Sequence, residues 1–166
     1  MQANGGKFDW SKLITQSYEQ TEAGIKTNYY GAKELTKALI PLLQLSSSPK
    51  IVNVSSSLGK LEKIPDGWPK EDFKEGSLEN KGWPISEMST YNISKIALNA
   101  YTRVVARKYP SICINAVCPG YVKTDINCNT GYLTPDEGAE SIVRLALLPH
   151  GGPSGLFFIR KEEKPF

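Results

Sequence analysis

Apolar residues between positions 17 and 45 fall at Ile25, Tyr29, Ala32, Leu35, Leu39, Leu42 and Leu43, the three-and-four spacing that runs one apolar stripe along a helix. The spacing predicts one long helix from Ser17 to Leu45. Pro41 should kink or loosen its last turn, because proline brings no N–H and crowds the turn before it. SSSPK then reads as a turn, and IVNV at 51–54 predicts a buried strand running into Ser55, Ser56 and Ser57. Residues 58–87 hold no sustained period and are rich in glycine, proline and charge, which predicts a long excursion with room for one short helix. Helical spacing returns from Met88 to Lys108 through Ala97, Leu98, Tyr101, Val104 and Val105. SICINAVC at 111–118 is a second buried strand, and PGYVKTD leaves it. Thr134, Pro135 and Glu137 form a helix-start signature, with a capping threonine, proline at the first helical position and glutamate three residues after the cap. Ala139, Ile142, Val143, Ala146 and Leu147 would form that helix's buried face, and Pro149, Gly151 and Gly152 stop it. GLFFI at 155–159 is a third apolar strand, followed by RKEEKPF as a charged tail.

Strands that are apolar throughout, alternating with helices, imply an α/β fold whose parallel sheet is covered on both faces. A chain of 166 residues, 40% hydrophobic and 22% charged, suits one globular domain. Its net charge of +3 is spread without a basic block, so nucleic acid is not an expected partner. No apolar run approaches the roughly 20 residues that span a bilayer, and MQANGGKFDW lacks the charged and apolar regions of a signal peptide. The expectation is a cytoplasmic protein without a membrane partner. Cys113, Cys118 and Cys128 are an odd set, and the single histidine, His150, lies outside zinc-ligand spacing, so no metal is expected and the two strand cysteines read as buried thiols. One histidine in a Pro-His-Gly-Gly turn, with no Gly-x-Ser-x-Gly elbow, also argues against a serine hydrolase.

The remaining polar residues gather where chemistry collects. Ligands of open parallel sheets bind outside the carboxyl ends of the strands, and the serines and PGYVKT both lie there. Between the two strands in sequence comes STYNISKIAL, in which Tyr91 and Lys95 stand four apart, on one helix face. A cation near a phenol favours the phenolate and lowers a tyrosine pKa typically by about 1 to 3 units. A serine hydroxyl, a phenol and an ammonium around one crevice suit a carbonyl substrate, whose oxygen two hydroxyls can hydrogen-bond while one gives or takes a proton. Asn28 sits on the apolar stripe of the first helix, where a buried amide needs partners. It is either a satisfied core amide or part of the site.

In this order TNYYGAK (27–33), IVNVSS (51–56), YNISK (91–95) and INAVCPGYVKTD (114–125) resemble the short-chain dehydrogenase/reductase family across nearly the whole chain. KGWP, NCNTG and LALLPHGGPSGLFF resemble more narrowly its plant carbonyl reductases of the neomenthol dehydrogenase and salutaridine reductase type. The resemblance implies Asn28 as holder of a proton-relay water, Ser56 as hydrogen-bond donor to the carbonyl, Tyr91 as general acid/base and Lys95 as its activator. Ser55 and Ser57 leave the serine register open. Lys95 would also bind the nicotinamide ribose, and Pro119, Gly120, Tyr121, Val122 and Thr124 match the segment along the cofactor, NADP(H). The implied reaction moves a hydride between nicotinamide and a small-molecule ketone or secondary alcohol. The family's glycine-rich TGxxxGxG turn is absent from the 166 residues. The expectation is therefore a partial Rossmann-like doubly wound sheet without its nucleotide-binding βα units. Residues 1–166 would form the C-terminal portion of one domain, with the excursion at 58–87 and a monomeric parent. The alternative is an inactive truncated remnant or an interaction partner of a full-length reductase. Trp83, Pro84 and Met88 would line a substrate wall or form the excursion's own small core.

Overall fold

The computed structural model describes residues 18–60 and 89–166. Most of the excursion, with Trp83, Pro84 and Met88, lies outside the described residues, as do the first 17 positions.

The first helical stretch is continuous but not uniform. Helix α1 (Tyr18–Ile25) passes into a π-helical turn (Lys26–Gly31) and then into α2 (Ala32–Leu43). A π turn bonds five residues back instead of four and so takes up about one extra residue. The buried row beyond it is displaced by one position from the expected stripe. Thr36 and Ile40 are buried and Leu43 packs on the core, while Leu35, Leu39 and Leu42 are 61%, 40% and 64% exposed. Pro41 stands inside α2, which closes two residues later, with the Gln44 N–H bonded to the Ile40 carbonyl.

Four strands follow: β1 (Lys50–Val54), β2 (Cys113–Cys118), β3 (Phe157–Ile159) and β4 (Glu162–Lys164). They lie in the order β1-β2-β3-β4. The first three are parallel, with Lys50 opposite Cys113 and Ala116 opposite Phe157. The fourth corrects the sequence reading. The charged tail turns back through Arg160, at φ 56°, and pairs antiparallel, Phe157 with Lys164. Its three residues are all exposed, the charged edge strand that apolar periodicity cannot reveal.

Helix α3 (Ser89–Lys108) and α4 (Pro135–Ala146) supply the remaining layers. Alternate residues of β2 face opposite ways. Ile114 packs with Ile40, Val105, Ala106 and Ile112 on the α2/α3 side, while Val117 packs with Leu145 and Phe158 on the α4 side. The sheet is thus covered on both faces, as the apolar strands required. On α3 the expected Leu98 and Val105 are buried and Tyr101 packs on the core, whereas the expected face of α4 is rotated. On α3, Val104 is exposed and the buried row runs through Ile93, Leu98, Thr102 and Val105. On α4, Gly138, Ser141 and Leu145 are buried, whereas Val143 and Leu147 are exposed. The start of α4 is as read: Thr134 accepts from the Glu137 N–H, and the Glu137 carboxylate returns to the Thr134 N–H at 2.7 Å.

Candidate active site

Because β1 and β2 are parallel and in register to Val54 and Val117, their carboxyl ends open side by side. The ladder extends one residue further, through the Ser55 N–H to the Val117 carbonyl at 2.7 Å. The chain then turns sharply, the Gly59 N–H donating to the Ser56 carbonyl and the Leu58 N–H to Ser56 Oγ at 3.1 Å. This turn lies directly on α3. A Cβ on Gly59 would fall 2.8 Å from the Lys95 carbonyl carbon, and Asn99 Nδ2 donates to the Gly59 carbonyl at 2.7 Å.

That docking brings the Ser56 hydroxyl close enough to the Tyr91 phenol to pull the phenol's pKa down. Ser55 is turned elsewhere, its hydroxyl towards the Lys95 carbonyl at 3.5 Å. Lys95 Nζ donates to the Val54 carbonyl at 2.9 Å and lies 5.6 Å from the centre of the Tyr91 ring. The expected electrostatics therefore need correction. Burial is the main influence on the phenol and pushes its pKa above the ordinary tyrosine value. The Ser56 hydrogen bond pulls it down, and the charge of an ionised Cys118 pushes it up. Burial likewise lowers the pKa of Lys95, with Cys118 opposing. The ammonium is engaged by a strand-end carbonyl rather than by the phenol oxygen.

Asn28 occupies the π turn, in keeping with the tendency of such turns to mark functional positions. Its Nδ2 donates to Ser94 Oγ at 3.0 Å, and Ser94 donates to the Tyr91 carbonyl at 2.8 Å. Ser56 and Lys95 thus flank Tyr91, while Asn28 reaches the backbone of Tyr91 through Ser94.

Pro119–Thr124 leaves the carboxyl end of β2 and folds back on itself. Tyr132 and Leu133 N–H groups donate to the Tyr121 carbonyl, and the Lys123 N–H donates to the Leu133 carbonyl at 2.8 Å. Asn127 Nδ2 holds the Val122 carbonyl at 2.7 Å, and its Oδ1 accepts from the Thr124 N–H at 3.2 Å. Gly120, at φ 92°, has no room for a side chain, since a Cβ would fall 2.6 Å from Leu133 Cδ1. Arg160 stands at the same mouth, its N–H bonded to the Cys118 carbonyl and its side-chain carbons 3.8 Å from where that Cβ would be.

Ser94, Asn99, Gly59, Asn127 and Arg160 support this site without having been singled out in the sequence. Asn99 stands one helical turn beyond Lys95 and is fully buried, so its amide needs a partner. Cys118 is buried, Cys113 half-buried and Cys128 exposed.

A serine, a tyrosine and a lysine thus gather at the carboxyl ends of parallel strands, and comparison with known proteins gives that arrangement a lineage. A family profile described as enoyl-(acyl carrier protein) reductase matches residues 77–150. Short-chain dehydrogenase/reductase 1 of Saponaria officinalis is 53% identical over 98% of this chain and 61% of its own length. The (+)-neomenthol dehydrogenase of Capsicum annuum is also 53% identical, over 96% of this chain and 58% of its own. The solved structure of salutaridine reductase from Papaver somniferum superposes with a TM-score of 0.79 at 46% identity, covering 87% of this chain and 56% of that one. The chain belongs to the short-chain dehydrogenase/reductase family. Within that family it is of the plant carbonyl reductase-like kind, and it spans about three fifths of the length of these curated relatives. Among the described residues no helix is long and apolar enough to cross a membrane.

Proposed function

We propose that residues 1–166 form the C-terminal, catalytic portion of a single-domain reductase. It uses NADP(H) to interconvert small-molecule ketones and secondary alcohols. The observation that carries this reading is the docking of the β1 end on α3, where Gly59 lies against the Lys95 backbone and Lys95 Nζ bonds the Val54 carbonyl at 2.9 Å, 5.6 Å from the Tyr91 ring, with Ser56 beside that phenol.

In the reducing direction the Ser56 and Tyr91 hydroxyls donate to the ketone oxygen. The raised phenol pKa keeps Tyr91 protonated at neutral pH, so it holds a proton to give as negative charge develops on that oxygen. Lys95 commits one N–H to the Val54 carbonyl, and its two other ammonium protons face the phenolate left behind and the cofactor ribose. Asn28 holds the water that returns a proton along this path.

NADP(H), when bound, supplies or takes the hydride at the carbonyl carbon. Its nicotinamide end suits the residues present. Lys95 offers an uncommitted proton for a ribose hydroxyl, and Gly120 presents bare backbone at φ 92° within the segment Pro119, Gly120, Tyr121, Val122 and Thr124.

The test is a fusion in which residues 1–166 replace the matching part of the Saponaria protein, assayed for NADPH consumption with a panel of ketones. Tyr91→Phe should lower kcat by roughly 100-fold or more, the scale of positioned proton transfer, with the circular dichroism spectrum unchanged. Equal turnover in that variant refutes the mechanism.

A further inference from the structure

At the end of α3 remote from Tyr91, a cavity of about 290 Å³ opens between the helix and the loop that leads into β3. Arg103, Ala106 and Arg107 line it from the helix, and Pro110, Ser154 and Gly155 close it. Arg103 and Arg107 stand four residues apart and therefore share one helix face. Twelve residues separate Arg103 from Tyr91, about 18 Å of helix.

The loop side is built rather than loose. Gly155, at φ 77°, brings the backbone so near that a Cβ would lie 3.4 Å from Ala106 Cβ. Its N–H donates to the Ile114 carbonyl at 2.7 Å, and Asn115 Nδ2 holds the Pro153 carbonyl at 2.7 Å. Ser154 Oγ accepts from the Ile114 N–H at 3.0 Å and donates to the Ile112 carbonyl at 3.2 Å. Ser154 and Gly155 have thus spent their protons on the fold, so the donors left to the cavity are the two guanidinium groups. Arg103 is half-buried, its guanidinium 5.4 Å from the centre of the Phe166 ring. Stacking engages the face of a guanidinium and leaves the N–H groups on its edge free. Among the described residues neither arginine meets a carboxylate or donates a hydrogen bond.

Cations at a helix end have an ordinary explanation, since they complement the partial negative charge there. That accounts for Arg107 and Lys108, which fall in the last turn. It does not account for Arg103, a turn earlier and held over the same cavity. We propose that this cavity binds the phosphate group of a small phosphate monoester. Two guanidinium forks match phosphate oxygens in pairs, and Ala106, Pro110 and the Phe166 ring offer an apolar wall to the rest of the molecule. The volume suits a small metabolite, at the lower end of ligand pockets, and not an extended peptide. The proposal is independent of the reductase reading, and its test needs no turnover.

The 15N-labelled chain is titrated at constant ionic strength with inorganic phosphate, phenyl phosphate and a phosphoserine pentapeptide. Phosphate should shift the Ser154 and Gly155 amides and the Nε–H signals of Arg103 and Arg107 saturably, and phenyl phosphate should bind tighter than either other probe. Arg103→Lys, which keeps the charge and loses the fork, and Arg107→Gln should each weaken phosphate binding about tenfold or more. Lys108→Gln is the control: that ammonium lies over the Tyr109 ring, and its loss should change binding less than about twofold in screening salt. Circular dichroism checks the fold of each variant. If Arg103→Lys disturbs it, the exposed Arg107, which holds no partner among the described residues, decides the case. Absent or unsaturated shifts, or equal losses in all three variants, reduce the cavity to general charge attraction and overturn the proposal. Tighter binding of the pentapeptide than of phenyl phosphate overturns it in favour of a protein partner.

Discussion

Tyr91 shares its crevice with a hydroxyl, an ammonium and a thiol, and two of these have opposite effects on its proton. The Ser56 hydrogen bond favours the phenolate, whereas burial and the Cys118 charge favour the phenol. Ser56→Ala should therefore move the Tyr91 midpoint further upward, read as the ultraviolet tyrosinate signal of the chain minus that of its Tyr91→Phe counterpart; a downward or absent movement refutes the assignment of that contact. The raised value also sets the sign of a stability effect. Unfolded tyrosine titrates near 10, and the folded group titrates above it. The stability that Tyr91 contributes is thus fully present below pH 10 and lost as pH rises through the folded value. Urea midpoints should fall in strongly alkaline buffer, and fall less in Tyr91→Phe. The placement of the three serines at one strand end and of Tyr91 and Lys95 on one helix face could be read from sequence, by position and spacing. The choice among Ser55, Ser56 and Ser57 could not, because it depends on a turn geometry fixed by Gly59 against another element.

That turn is where the scale of elements takes over. Gly59 lies so close to α3 that any side chain meets backbone, with Lys95 carbonyl carbon and oxygen at 2.8 and 2.9 Å from a built Cβ. Gly59→Ala should cost about 1 to 3 kcal/mol, the usual range for overpacking, and should pull Ser56 from Tyr91. The check is a lower urea midpoint together with a changed Tyr91 titration. An unchanged midpoint shows that α3 can yield. The same scale explains what the amino-acid pattern concealed. Apolar spacing located α3, α4 and three strands, and the Thr134–Glu137 box located the start of α4. The pattern of Leu35, Leu39 and Leu42 misplaced the buried face of α2, because periodicity assumes a uniform helix and the π turn at Lys26–Gly31 breaks that assumption. β4 escaped notice because a charged edge strand takes its conformation from its neighbour's backbone.

For the whole molecule, the question is how much binding energy this chain holds by itself. Its 166 residues contain no glycine-rich phosphate turn, which leaves Lys95 and the Pro119–Thr124 segment for the cofactor. Charge-assisted hydrogen bonds contribute about 1.5 to 3 kcal/mol each, and association costs several. The isolated chain should bind NADPH no tighter than high micromolar and turn over no ketone; tight binding by titration calorimetry would place the nucleotide site elsewhere. The outer edge of β1 has no strand partner among the described residues, and Leu35, Leu39 and Leu42 lie exposed on α2. Open edges and apolar faces promote association, so light scattering after size exclusion should show mass rising with concentration. A monomer with a cooperative melt at all concentrations contradicts this. The parallel ladder has one more consequence, in time rather than in energy. Lys50 must find Cys113, and Ala116 must find Phe157, so the chain closes two long loops before either pairing is rewarded. The β3–β4 turn and the helices can form locally and early. The serine-bearing strand end docks on α3 only after the distant β1–β2 search succeeds, making the crevice around Tyr91 a late and slow product of folding.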